Sequence, residues 1–329
     1  MQALPQRLIP RWCLVAVIAL MCAAACSTSS TDDRTDSAAT SSSDVAQVTD
    51  TDEVSARIRD LTIESPALGS GAAVRVLLPT TFDAEPERQW PVLYLLHGCC
   101  DGYDSWTRST DLEELTESSN LIVVMPDGGR AGFYSDWLDG PAWERFHVDE
   151  LHQVMEEEYR ASDVRAIGGL SMGGLGALAY AARNPDTFRA AASFSGVVHT
   201  RLTVQQQWGY VQLLQTEGEP YLGLWGHPER DTEVWAEHNP YDLAEGLRGI
   251  PLYVSVGTGD PGPLDAPGDS VDQIERSLAR ENEAFAARLT ELGIPVQLSF
   301  YGPGTHTWPY WERELRASWP MFERALGLR

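Results

Sequence analysis

Ser171 lies in Gly169-Leu170-Ser171-Met172-Gly173, a G-x-S-x-G string. In a nucleophile elbow the serine sits on a sharp strand-to-helix turn, so the flanking positions must be small. Gly169 and Gly173 meet that demand. An apolar run at 164–168 precedes the string and a helix-forming run, Gly174 to Ala182, follows it. The serine would then stand over a helix N-terminus, whose dipole and free N–H groups favour the oxyanion of acyl transfer. The Met172 N–H is one expected oxyanion donor. The competing reading is a glycine-rich helix start with an idle serine. A phosphate-binding loop is disfavoured because no lysine follows the glycines.

A serine hydroxyl is a weak nucleophile and needs a base. In this arrangement the chain order is Ser, then acid, then His. Of seven histidines, only His199, His227, His238 and His306 follow Ser171. Only His306 follows the last expected strand, in the loop Tyr301-Gly-Pro-Gly-Thr-His306. His306 is therefore the expected base. Two acids follow the strand expected at 251–256. Asp260 comes immediately after it and is the choice of local geometry; Glu275 lies further on, in the first turns of a helix. The second oxyanion donor should come from the loop after an earlier strand, Leu95-Leu96-His97-Gly98-Cys99-Cys100, with the Cys99 N–H as candidate. His97 precedes the serine, which points to a structural role in that turn. His147 and His152 are five apart, a poor metal spacing, so no metal site is expected. No cofactor is implied.

Positioning these groups requires strands alternating with helices. Apolar strand candidates lie at 72–79, 92–96, 121–125, 164–168, 190–194, 251–256 and 296–301. Helical stretches are expected at 111–118, 149–160, 172–184 and 271–292. Such alternation implies an α/β fold with a mostly parallel central sheet and helices on both faces. Residues 200–245 interrupt the rhythm and carry Trp208, Tyr210, Tyr221, Trp225 and Trp235. They read as a helical cap insertion that also walls an acyl pocket.

The N-terminus reads as a targeting segment. Arg7 and Arg11 precede an apolar run from Trp12 to Ala25, too short to span a bilayer comfortably. It ends in Ala23-Ala24-Ala25-Cys26, which suits a lipoprotein signal with Cys26 acylated. A plain signal peptide and a retained membrane helix are the rivals. The expected division is a signal at 1–25, a disordered Ser/Thr/Asp-rich tether at 26–54, and a catalytic domain at 55–329. Of five cysteines, only Cys99 and Cys100 remain in that domain. Their pairing is left open. Because the oxyanion donors are backbone groups, replacing both by Ser or Ala is expected to leave most activity; a collapse of activity with the fold preserved would point instead to a vicinal disulfide that shapes the loop. The formal net charge of −24 argues against nucleic acid and against docking on anionic lipid. Membrane contact is expected only through the lipid anchor. Oligomeric state is not legible.

Several strings together resemble one family. They include Tyr94-Leu-Leu-His-Gly98, Phe133-Tyr-Ser-Asp-Trp137, Gly169-Leu-Ser-Met172, Trp225-Gly226, Asn239-Pro240 and Gly304-Thr-His-Thr-Trp308. Over about residues 60–320 the chain resembles the esterase family that contains the antigen 85-type mycolyltransferases. The resemblance implies an α/β-hydrolase fold and acyl transfer through a covalent acyl-Ser171, to water in esterases or to a sugar hydroxyl in transferases. It carries over Ser171 as nucleophile, His306 as base, and Cys99 and Met172 as oxyanion donors. It puts Trp308 by the acceptor site. It also favours Glu275 over Asp260, because the spacing from Gly257 through Glu275 to Phe285 and Gly293 matches the transferases. His97 takes the position of a substrate-binding aspartate, and Cys100 stands near that of an arginine. His-Gly at this turn is the form of ordinary esterases.

The expected function is an exported serine esterase or acyltransferase acting on a small-molecule or lipid ester, with hydrolysis favoured. Acyl transfer to trehalose or another cell-envelope sugar is the alternative. A catalytically silent binding protein on the same fold is the second alternative. A peptidase has no feature in its favour.

Overall fold

The computed structural model describes residues 45–328. The expected signal segment, Cys26 and most of the expected tether lie outside these residues. Among the described residues, nine strands form one sheet in the order β1-β2-β3-β5-β4-β6-β7-β8-β9. They are β1 Gln47–Glu53, β2 Ile58–Ser65, β3 Ser70–Leu77, β4 Trp90–Leu96, β5 Ile122–Pro126, β6 Ala161–Leu170, β7 Ala191–Phe194, β8 Leu252–Val256 and β9 Gln297–Phe300. Pairings from β5 through β4 to β9 are parallel, and β1, β2 and β3 add an antiparallel ribbon at one edge.

Side chains alternate across each central strand, as the two-residue strand period requires. On β4, Val92, Tyr94 and Leu96 join the core of one sheet face, while Leu93 and Leu95 join the other. The longer helices are α1 Leu151–Tyr159, α2 Met172–Arg183, α3 Val204–Thr216, α4 Gln273–Leu292 and α5 Trp308–Ala325. The first core includes buried residues of α1, α2 and α4. The second includes Trp311, Leu315 and Phe322 of α5. Both faces are covered, as a parallel sheet demands.

Two boundaries differ from expectation. The expected tether, 26–54, overlaps a strand, because Gln47–Glu53 is β1. Its composition is polar, but its backbone pairs with β2 in antiparallel register from Gln47↔Glu64 to Glu53↔Arg59. An edge strand can face water with most of its side chains, so low apolarity does not exclude it. Helix α5 was also not anticipated. Pro320 inside it reads as a breaker, yet the helix is amphipathic and buries Tyr310, Leu315 and Phe322.

The 200–245 insertion is helical. It comprises α3, the short helices Thr232–Glu237 and Pro240–Leu243, and a 3₁₀ turn at Ala244–Leu247. Thr203 caps α3 by accepting from the Gln206 N–H at 3.1 Å. The buried indoles of Trp225 and Trp235 meet edge to face at 5.0 Å, and Trp225 also meets Phe133 at 5.5 Å.

Candidate active site

Ser171 follows β6 and is the N-cap of α2, with φ 52° and ψ −117°. A side-chain-bearing residue at positive φ is strained, and such residues collect at functional sites. The turn is held by the Ser171 N–H donating to the Phe194 carbonyl at 3.0 Å. The glycines are needed for close approach. A Cβ on Gly169 would lie 2.1 Å from the Gly173 oxygen, and one on Gly173 would lie 2.4 Å from the Leu96 oxygen.

His306 sits in the loop between β9 and α5. Its Nδ1 is 2.7 Å from Glu275 Oε2, and Glu275 is fully buried on α4. The other oxygen, Oε1, accepts from the Gly257 N–H at 2.6 Å, Ser195 Oγ at 2.8 Å and the Tyr301 hydroxyl at 3.2 Å. These donors compensate the burial of a carboxylate. With Nδ1 engaged by Glu275, Nε2 is the ring atom left for a substrate proton. Asp260 is placed differently. It is exposed and paired with Arg276 at 2.6 Å, so the acid that local sequence geometry favoured does not touch His306. Immediate sequence position chose Asp260 because it follows β8 directly, but the chain turns outward there.

Three supporting residues were not anticipated. Asp272 caps α4 through Oδ1, accepting from the N–H groups of Ile274 at 2.9 Å and Glu275 at 3.1 Å. Its Oδ2 accepts the His306 N–H at 2.9 Å. One carboxylate thus ties the helix of Glu275 to the loop of His306. The signal was present: Asp272-Gln-Ile-Glu275 has helix-start spacing. Ser195, at φ 46°, and Tyr301 carried no comparable signal.

The candidate oxyanion donors flank Ser171. Among the described residues, neither the Cys99 nor the Met172 N–H has a hydrogen-bond partner within the protein. Cys99 and Cys100 are joined by a disulfide. His97 lines neither of the cavities beside Ser171. It is buried, its Nδ1–H donates to the Gly98 carbonyl at 2.8 Å, and its Nε2 accepts the Gly128 N–H at 2.9 Å. These bonds hold the ring away from the cavities, so His97, expected at a substrate-binding position, instead braces two loops. His147 is likewise buried, between the Tyr180 hydroxyl at 2.9 Å and the Asp127 carbonyl at 2.8 Å; burial pushes its pKa down to about 4.

Two cavities meet at Ser171, His306 and Cys99. The larger is about 700 Å³ and mostly carbon-lined, with Phe133, Val197 and Leu278 on the body and Leu202, Tyr210 and Leu213 on the cap. The smaller is about 300 Å³ and is lined by Asp101, Thr307, Trp308 and Trp311. Trp308 is held edge to face by Trp106 and Trp311, each at 5.3 Å. The arrangement offers an apolar chamber on one side of the serine and an aromatic, partly polar one on the other.

Glu281 of α4 closes part of the larger cavity. Its Oε2 accepts from the Val198 and His199 N–H groups, each at 2.9 Å. Its Oε1 accepts from the Tyr210 hydroxyl at 2.7 Å and from the Gln206 amide of α3. Burial raises its pKa to about 7 despite these donors.

The Esterase family model matches residues 65–322. Esterase MT1326 of Mycobacterium tuberculosis (strain CDC 1551 / Oshkosh) is 34% identical over 275 residues, covering 79% of this chain and 58% of that relative. The chain thus spans little more than half of that relative's length. Diacylglycerol acyltransferase/mycolyltransferase Ag85B of Mycolicibacterium smegmatis is 32% identical over 257 residues, covering 71% of this chain and 77% of that one. Among solved structures, Mycobacterium tuberculosis MPT51 (FbpC1) aligns with a TM-score of 0.71 at 23% identity, over 83% of this chain and 100% of its own. FphF, a fluorophosphonate-binding serine hydrolase of Staphylococcus aureus, aligns at 0.65 and 22% identity, over 80% and 97%. At these identities the two structures speak for the fold alone.

Proposed function

The chain belongs to the Esterase family, and from that premise we propose that it is an exported serine ester hydrolase or acyltransferase working through a covalent acyl-Ser171, with water as the favoured acceptor. The observation that carries the reading is the buried Glu275–His306 pair at 2.7 Å beside a serine on a strained elbow. His306 Nε2 takes the Ser171 proton as Oγ attacks the ester carbonyl. Glu275 orients the ring and offsets the charge formed on it. The Cys99 and Met172 N–H groups receive the carbonyl oxygen as it becomes an oxyanion. The alcohol leaves with the proton from His306, and the acyl group stays on Ser171 with its chain in the apolar cavity. An incoming hydroxyl, deprotonated by the same ring, then releases it.

Transfer to a sugar is the second reading. The smaller cavity favours it, since Trp308, Trp311 and Asp101 could stack on and bond a polyhydroxyl acceptor. The test is turnover of a series of acyl p-nitrophenyl esters with and without trehalose. We expect free acid to dominate in both. Acyl-trehalose as the main product would move the assignment to transferase, and no turnover of any ester would refute both.

A further inference from the structure

We propose that the Cys99–Cys100 disulfide is a redox-sensitive positioning element for the oxyanion donor, so that its reduction slows the chemical step. The inference rests on the acyl-serine reading above. It starts from where the pair sits. Cys99 borders both cavities and Cys100 borders the larger. The Cys99 N–H, one of the two assigned donors, belongs to a residue inside the disulfide ring. Closing a ring across adjacent residues restrains the peptide that joins them, and with it the direction of the neighbouring N–H.

The surrounding backbone shows what is being restrained. Cys100 has φ 71°, in the left-handed region that suits glycine and costs an ordinary L-residue. Its N–H donates to the Arg130 carbonyl at 2.9 Å, joining the pair to the loop after β5. The Arg130 side chain in turn pairs with Glu217, just past the end of cap helix α3, at 2.7 Å. On the other side, a Cβ on Gly98 would come within 2.5 Å of Leu170 Cδ1 and 3.2 Å of Ser171 Cβ, so the loop presses directly on the elbow. Displacement of this loop therefore moves an oxyanion donor relative to the nucleophile.

The redox step is a thiol–disulfide exchange with a dithiol reductant. Cys99–Cys100 gains two electrons and two protons and becomes two thiols, while the reductant closes to its own disulfide. Without the covalent ring, Cys100 is free to leave its left-handed conformation, and the Cys99 N–H loses its aim. Donors act on the transition state more than on the bound ester, so kcat should fall while KM changes little.

The experiment compares the protein as prepared with the same protein treated with dithiothreitol and then reoxidised. It follows p-nitrophenyl ester turnover, melting temperature, and alkylation of Cys99 and Cys100 by mass spectrometry. We expect no alkylation before reduction and two alkylated thiols after it. Reduction should lower kcat by about tenfold or more with KM nearly constant, and reoxidation should restore it; loss of a whole oxyanion donor costs roughly 10²–10³. Cys100→Ala should resemble the reduced enzyme and ignore dithiothreitol. Cys100→Gly should also ignore it but recover much of the lost kcat, because glycine accepts the left-handed backbone unaided. Free thiols in the protein as prepared would overturn the proposal. So would an unchanged kcat once both thiols are exposed, including the case where only the melting temperature falls, and so would equal activity of the Ala and Gly variants. If the oxidised protein turns over no ester, the acyl-serine reading itself fails and this inference falls with it.

Discussion

Asp272 and Glu275 stand at the N-cap and third position of α4, a spacing at which the glutamate commonly reaches back to the N-cap N–H. Here the Asp272 N–H donates to the Gly259 carbonyl at 2.7 Å instead. Glu275 is thereby released to turn inward to His306. Motif and chain order alone pointed to Ser171 and His306. The carboxylate that meets His306 was not legible in that way: Asp260 satisfied local geometry, and only family spacing pointed to Glu275. Ser195 and Tyr301 were illegible, because a lone serine and a lone tyrosine gain meaning only from the carboxylate they surround. The isosteric pair Glu275→Gln and Asp260→Asn tests the assignment. Glu275→Gln should cost roughly 10³–10⁴ in kcat with little change in binding, whereas Asp260→Asn, which alters exposed contacts to Arg276 and Thr258, should leave kcat nearly intact. The check is kcat and melting temperature of both variants side by side; inactivation by Asp260→Asn alone would reverse the assignment.

At the scale of elements, the parallel strands were visible as continuous apolar runs, and the glycine-framed α2 as a helix. What stayed hidden was β1, whose Thr-Asp-rich residues are ordered by backbone pairing, and α5, where a proline masks the amphipathic period. The cap was visible as an aromatic-rich interruption, but its attachment was not. Glu281 supplies that attachment, joining Tyr210 and Gln206 of α3 to α4 and to the 198–199 backbone. Its pKa is raised from 4.5 to about 7 by burial. A raised acid pKa means that the folded state favours the protonated form. The stability tied to that proton is fully present below about pH 4.5 and is lost as pH rises through about 7. Glu281→Gln removes this titration. Relative to the variant, the wild-type protein should therefore lose melting temperature between pH 5 and pH 8, at about those limits. A parallel pH profile for the two proteins would show that Glu281 does not titrate in this window.

For the whole molecule, the acidic surface and the N-terminal segment bear on location together. A formal charge of −24 disfavours attachment to anionic lipid through the folded surface, and no helix among the described residues is long and apolar enough to cross a membrane. Lipid on Cys26, which lies outside the described residues, is the route of attachment proposed from the sequence. The native protein is expected to partition into detergent, and Cys26→Ser to move it into the aqueous phase. Mass spectrometry finding an unmodified N-terminus beyond Cys26 in the native protein would contradict this. The larger claim is that the two cavities serve one nucleophile, with the acyl group parked covalently between them. Its most direct measurement is rapid acid quenching of the enzyme during turnover of an acyl p-nitrophenyl ester, followed by intact-mass and peptide analysis. The account predicts an added mass equal to the acyl group, located on Ser171 and missing from Ser171→Ala. Turnover without any adduct on Ser171, or an adduct that persists in Ser171→Ala, would contradict it.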